Sequence, residues 1–71
     1  MTIKANELKQ GNKIYTTRYS TLWNRMVEIP CTIMEVTEIN GNFSIIAMAQ
    51  DGFKQFVVDI FATPETEYKA A

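Results

Sequence analysis

The sequence lacks histidine altogether, which removes the commonest general base, a frequent metal ligand and every histidine-dependent catalytic triad. Its single cysteine, Cys31, excludes an internal disulfide and any zinc site built from several cysteines. The three glycines are isolated, so there is no glycine-rich loop for phosphate. No apolar run approaches the ~20 residues that a membrane-spanning helix needs. These absences predict a protein that is not an enzyme and that holds neither a metal nor a cofactor.

Two residual candidates for catalysis are weak. Cys31 has no histidine to activate it and follows Pro30 beside a predicted strand, so we expect a buried packing residue. Glu35 and Glu38 are three residues apart, which places them on opposite faces of a regular strand unless a bulge intervenes. Solvated surface carboxylates are the expected outcome for both.

The composition is that of one small folded domain covering residues 1–71. Apolar residues make up 46% of the chain and charged residues 21%, which is typical of globular proteins. A chain of this size buries too little surface to be very stable alone, so self-association is one alternative. The first ten residues lack the apolar stretch of an export signal, and with the lone thiol this favours a cytoplasmic location.

Two turn signals organise the second half of the chain. Asn40-Gly41 and Asp51-Gly52 are the dipeptides that favour two-residue type I′ hairpin turns. The segments around them are rich in β-branched and aromatic residues. They predict a three-stranded antiparallel meander formed by Thr32–Ile39, Phe43–Ala49 and Phe53–Phe61.

The residue pattern within the meander predicts its layers. Alternating apolar residues lie on both faces of the middle strand, which indicates a central or covered strand. The last strand alternates apolar and polar residues, as a half-buried strand does. The adjacent apolar residues Ile33 and Met34 break the alternation, and we expect a β-bulge there.

The remaining segments complete a five-stranded arrangement. A first strand is predicted to begin at Ile14, and a short strand over Arg25–Ile29 is predicted to stop at Pro30, which belongs at an edge or bulge. Residues 6–11 read as a helical turn ended by glycine, and residues 64–69 as a short helical tail. Because an open sheet would expose its edges and apolar face, we expect a mainly β fold closed into a small barrel.

The segment Ala5-Asn6-Glu7-Leu8-Lys9-Gln10-Gly11-Asn12-Lys13-Ile14 resembles the entry into the first strand of many SH3-like barrels, with its Leu-x-x-Gly-Asn-x-Ile pattern. The resemblance covers about ten residues and implies a five-stranded SH3-like barrel without implying an activity. The chain is also similar in style to short accessory proteins of bacteriophages. In SH3-like barrels the long loop after the first strand often contributes to the ligand surface.

The segment from Thr16 to Arg25 is the most informative for function. As a ten-residue connection it would be long for so small a domain, and long connections are often functional. The candidate partner-binding residues in and beside it are Lys13, Tyr15, Arg18, Tyr19, Trp23 and Arg25. Aromatic and arginine side chains dominate binding hot spots. Two alternatives stay open: an extended β-ribbon with one packed face, and a Trp23 that belongs to the core.

The first functional hypothesis is a non-catalytic protein-binding module, of the kind a bacteriophage inhibitor or adaptor of a host protein would use. The alternative is binding of single-stranded nucleic acid on the basic and aromatic residues 13–25. Residues 1–30 carry five cations and two acids, whereas residues 31–71 carry two cations and six acids, so only the first segment is suited to phosphates. A homodimer formed through exposed apolar surface is the third hypothesis.

Overall fold

A computed structural model describes all 71 residues and shows a mainly β molecule, which confirms the predicted class. The strands are β1 (Thr2–Lys4), β2 (Lys13–Ser20), β3 (Arg25–Ile39), β4 (Asn42–Asp51), β5 (Lys54–Ala62) and β6 (Glu67–Lys69), with a 3₁₀ turn at Ala5–Glu7. The order β2-β3-β4-β5 forms an antiparallel meander, and β1 pairs with β6 in a separate two-stranded ribbon. No helix in the molecule is long and apolar enough to cross a membrane.

The two predicted hairpins are present, with one change of position. Ile39 pairs with Asn42 around Asn40 and Gly41, whose φ values of 51° and 82° are those of a type I′ turn. In the second hairpin Asp51 still pairs with Lys54, so the turn residues are Gly52 and Phe53. The prediction of Asp51-Gly52 as a type I′ turn is therefore wrong by one residue, and only Gly52 has a positive φ.

The strand β3 is longer than predicted because Pro30 does not end it. Pro30 pairs with Tyr15 of β2, while the ladder to β4 begins only at Cys31. The proline thus lies where β3 has a neighbour on one side only, which a residue without an N–H group tolerates. The predicted bulge is confirmed, since the register with β4 shifts between Ile33 and Glu35.

The core lies on the concave face of the curled meander. β4 is a central strand whose core-facing residues are buried and whose opposite face is half-buried, as predicted. Cys31 is buried, with its Sγ 3.3 Å from Thr16 Oγ1, in agreement with a packing role. The buried apolar residues are Ala5, Leu8, Ile14, Ile29, Cys31, Ile33, Ile45, Ala47, Ala49, Val58 and Ala62.

The ends of the chain differ from the prediction. The N-terminal turn occupies Ala5–Glu7 and is 3₁₀, and the predicted helix over 64–69 is wrong, because that segment forms a turn followed by β6. β6 pairs with β1, and Ala70 bridges to Ile14 at the start of β2. These contacts do not join β2 to β5, so the six strands form two sheets that are not closed into a barrel.

Candidate functional site

The connection between β2 and β3 is a hairpin with a four-residue loop. Ser20 pairs with Arg25, which leaves residues 21–24 as the loop and contradicts a ten-residue connection. The β-ribbon alternative is therefore correct, but its buried side chains in β2 are Ile14 and Ser20. The alternating set that includes Tyr19 lies on the outer face.

A buried hydroxyl group fixes this hairpin against the β4–β5 turn. Ser20 Oγ donates to Asp51 Oδ2 at 2.5 Å and accepts the backbone N–H of Trp23 at 3.3 Å. Both Ser20 and Asp51 are buried. The backbone of the loop is thus held by a contact between residues that are 31 positions apart in sequence.

Two further contacts define the loop. The hydroxyl group of Tyr19 donates to Oδ1 of Asn24, whose φ of 55° lies in the left-handed region that asparagine tolerates. Leu22 packs so close to Gly52 that a Cβ placed there would lie 3.1 Å from Leu22 Cδ2. The glycine therefore permits the hairpin and the β4–β5 turn to meet.

Four large side chains of the β2–β3 hairpin are exposed: Tyr19, Leu22, Trp23 and Met26, which together are called the tip surface below. Trp23 is 58% exposed and Tyr19 57% exposed, so the alternative in which Trp23 belongs to the core is wrong. Tyr19 and Met26 are directly opposite each other in the β2–β3 ladder. Their proximity follows from the register and produces a continuous apolar area.

The charges around the tip surface are mostly positive. Arg25 and Lys54 flank it, and neither forms an ion pair within the chain. Of the nearby acids, Asp51 is buried, and Glu28, which lines the bordering groove, is paired with Lys69. Without Arg25, Lys54 and Asp51 the chain holds five cations and seven acids, so the tip end is cationic on a molecule of net charge −1.

The six candidate residues from the sequence do not form one surface. Tyr19, Trp23 and Arg25 meet at the tip, but Lys13 and Tyr15 lie at the other end of β2. Tyr15 is half-buried, with Nζ of Lys69 5.8 Å from its ring centre. Arg18 lies on the opposite side of β2 from Tyr19, with its guanidinium 5.5 Å from the ring centre of Phe56.

Sequence reasoning missed three members of this end of the molecule. Leu22 and Met26 carry no motif, and Lys54 is 29 residues from Arg25 in sequence. Met26 could have been found by pairing the strands around a four-residue loop, because that register places it opposite Tyr19. Lys54 becomes a neighbour only through the contact between Ser20 and Asp51.

A groove of about 460 Å³ borders the tip surface. The groove forms because residues Arg25–Pro30 of β3, which precede Cys31, are not paired with β4. Its lining includes Trp23, Arg25, Met26, Pro30, Gln50 and Gly52. An extended or convex partner segment could therefore contact the tip surface and the free side of β3 together.

A second groove, of about 450 Å³, lies between β2 and β6. Tyr68 lines it, and burial raises the pKa of this phenol above its ordinary value of 10.0. Lys69 and Glu28 also line it, and their charged groups are 3.8 Å apart. Among the charged residues predicted to bind a partner, only Arg18 lines this groove, and it forms no ion pair. The groove lies where the sheet is open.

The residual catalytic candidates are not assembled into a site. Glu35 is opposite Ile46 and Glu38 is opposite Phe43, so the two carboxylates lie on different faces of the sheet. Both are exposed. No group of three or more Cys, Asp or Glu residues is placed to hold a metal ion.

Comparison with known proteins finds no matching family model, no similar curated protein and no similar solved structure. The resemblances to SH3-like barrels and to bacteriophage accessory proteins therefore stay predictions.

Proposed function

We propose that the chain is a non-catalytic protein-binding module and that the tip surface contacts a partner with an apolar area bordered by acids. The observation that carries this proposal is the combination of four exposed large side chains and two unpaired cations, Arg25 and Lys54, at one end of the molecule. Exposed apolar patches with a polar rim are typical of interfaces. The charge of the rim selects the acidic partner.

The fixed conformation of the hairpin supports this function physically. Ser20 and Gly52 hold the loop before any partner arrives, so binding has less conformational entropy to remove. Trp23 and Tyr19 supply large apolar area with few rotatable bonds, and Met26 adapts to the shape it meets. Arg25 and Lys54 would then pair with carboxylates at the rim of the contact.

The finer part of the proposal is that the partner is a host protein and the chain a bacteriophage-type inhibitor or adaptor acting in the cytoplasm. Only the similarity in style to such proteins supports it. A second candidate function is binding of single-stranded nucleic acid, which Tyr19, Trp23 and Arg25 favour, since bases stack on aromatic rings beside cations. Against it, Leu22 and Met26 interrupt the aromatic platform, and the whole chain is acidic.

The test uses quantitative capture from a native lysate by immobilised wild-type chain and by the variants Trp23→Ala, Arg25→Glu and Ile39→Ala. Ile39 is the control because it is an exposed large apolar residue outside the tip surface and outside β5. A single acidic protein should be retained by the wild type and by Ile39→Ala. Trp23→Ala should lower its affinity about 30-fold or more, the effect of a hot-spot residue.

The same captured protein should dissociate more readily as salt rises, and Arg25→Glu should remove part of that salt dependence. Equal retention by wild type and Trp23→Ala would contradict the proposal. Fluorescence anisotropy with short oligonucleotides at low salt tests the second candidate: binding that Trp23→Ala abolishes would replace the protein partner with nucleic acid. Unfolding curves confirm that each variant is folded.

A further inference from the structure

The free edge of β5 is an unprotected strand edge. β5 pairs with β4 alone, and no backbone hydrogen bond outside the strand ladders involves any of its nine residues. Its pairing with β4 runs without a register shift from Lys54 to Ala62. Natural sheets usually protect such an edge with a bulge, a proline, charged side chains or a covering segment. β5 has two charged residues, Lys54 at its start and the exposed Asp59, and none between them.

The two edges of the meander differ in this respect. The β2 edge is covered at its start by the C-terminal segment, through the bridge between Ile14 and Ala70 and the bond from the Ala71 N–H to the Lys13 carbonyl. Nothing in the chain covers β5 in the same way. An exposed row of N–H and C=O groups is a template for another strand.

The side chains along this edge are also unusually apolar for exposed positions. On the outer face of β5, Phe61 is 69% exposed and Val57 58%, and Phe53, 85% exposed, lies in the turn just before the strand. The opposite face of β5 packs into the core through Val58 and Ala62. The outer residues contact β4 on one side only and stay mostly exposed.

We infer that β5 pairs antiparallel with β5 of a second copy of this chain, about a twofold axis at Val57. In this register the outer-face pairs are Val57 with Val57, Gln55 with Asp59, and Phe53 with Phe61. In this register each outer-face residue of β5 is opposite an outer-face residue of the second copy, so the outer faces of the two sheets form one continuous surface. Aromatic residues meet aromatic residues directly across the strands, an arrangement that stabilises antiparallel pairs.

Hydrogen bonding and the repulsion between like charges favour this register over its neighbours. An axis at Asp59 would place the two Asp59 carboxylates directly opposite each other, which is destabilising. An axis at Val58 would place Val57 opposite Asp59 and leave Phe53 beyond the pair. With the axis at Val57, each carboxylate faces the amide of Gln55, a hydrogen-bond donor.

The pairing interface borders the tip surface, because Phe53 and Lys54 adjoin Gly52, which Leu22 contacts. Trp23 lies outside β5 and Val57 lies outside the tip surface, so Trp23→Ala tests partner binding and Val57→Lys tests pairing separately. A single strand edge is small beside the ~800 Å² per partner of standard interfaces, so we expect dissociation in the micromolar range. The second copy completes an eight-stranded sheet whose central strands are the two β5 strands.

Sedimentation of the full chain over a wide concentration range tests association. Wild type should change from monomer to dimer, and Val57→Lys should raise the dissociation constant about tenfold or more, because two lysines would be opposed across the axis. Ile39→Lys is the matched control: a similarly exposed β-branched residue on the outer face far from β5, where no effect is expected. A wild-type monomer at every concentration, or oligomers beyond the dimer, would overturn the inference.

Cysteine cross-linking tests the register. Residues directly opposite in antiparallel strands have Cα atoms about 4.5–5.5 Å apart, within disulfide range, so Val57→Cys should form a covalent dimer on mild oxidation. Asp59→Cys should not, because its copy lies four residues along the partner strand, about 13 Å away. The native Cys31 is buried and present in both variants, so any cross-linking through it is the same in both. Equal cross-linking of Val57→Cys and Asp59→Cys, or no cross-linking of Val57→Cys, would refute this pairing. The cross-linking test does not depend on whether Val57→Lys folds.

Discussion

Ser20 is the residue on which the shape of the tip depends. Its hydroxyl group is buried, donates to Asp51 and accepts the N–H of Trp23. Ser20→Ala removes both bonds and leaves a buried carboxylate without its donor, so the free energy of unfolding should fall by about 1–3 kcal/mol. Urea unfolding measures the loss.

Two variants calibrate this prediction. Asp51→Asn should cost less than Ser20→Ala, because the amide oxygen still accepts from the hydroxyl group. Thr21→Ala, at an exposed loop position, should change stability by no more than about 0.5 kcal/mol. If Ser20→Ala is as stable as Thr21→Ala, the buried bond does not hold the hairpin.

Single residues also show which parts of the site the sequence could predict. The aromatic and arginine content between residues 13 and 25 was readable, and Tyr19, Trp23 and Arg25 do lie together at one end. The local sequence did not show that Lys13 and Tyr15 lie far from these three residues. They do so because the two ends of an eight-residue strand are about 25 Å apart. Exposure of Trp23 likewise depends on the distant contact of Ser20 with Asp51.

At the scale of elements, the sequence predicted what depends on local chemistry. The Asn40-Gly41 turn, the bulge beside Ile33 and the central position of β4 all follow from turn preferences and alternation. The tail was misread because Thr63 and Pro64 are common both in turns and at helix starts. Its conformation is set by β1, some 60 residues away, through pairs such as Ile3 with Tyr68.

The two turn glycines provide a prediction about elements. Gly41 has a φ of 82° and open space where a Cβ would lie, so Gly41→Ala should cost only the backbone strain, about 1–2 kcal/mol. Gly52→Ala adds the clash with Leu22 to a similar strain, and should also displace the tip. Trp23 is the only tryptophan, so its fluorescence reports this movement. Gly52→Ala should shift the emission and Gly41→Ala should leave it unchanged, whereas equal spectra would contradict the contact.

At the scale of the whole molecule, closure of the fold depends on the two chain ends. The expectation of a closed barrel came from the need to cover the edges of a five-stranded sheet. It did not include a separate ribbon formed by the two chain ends. Here β1 and β6 pair with each other and cover only the start of β2. The sequence could not show this, since strands of three residues carry almost no periodicity.

The ribbon of β1 and β6 predicts how the whole molecule responds to alkaline pH. Burial raises the pKa of Tyr68 above 10.0 in the folded protein, so the folded state holds the phenolic proton more tightly than the unfolded state does. The stability that this provides is complete below pH 10.0 and is lost as the pH rises through the raised pKa. Tyr68→Phe removes the ionisable group, so its unfolding midpoint should fall less than that of the wild type between about pH 8 and about pH 11. Thr21→Ala, at an exposed loop position, leaves Tyr68 in place and should fall as much as the wild type, which shows that a smaller fall is specific to position 68. Parallel curves for Tyr68→Phe and wild type would mean that the phenol is as well solvated in the fold as outside it, and that the ribbon does not shield this edge of the core.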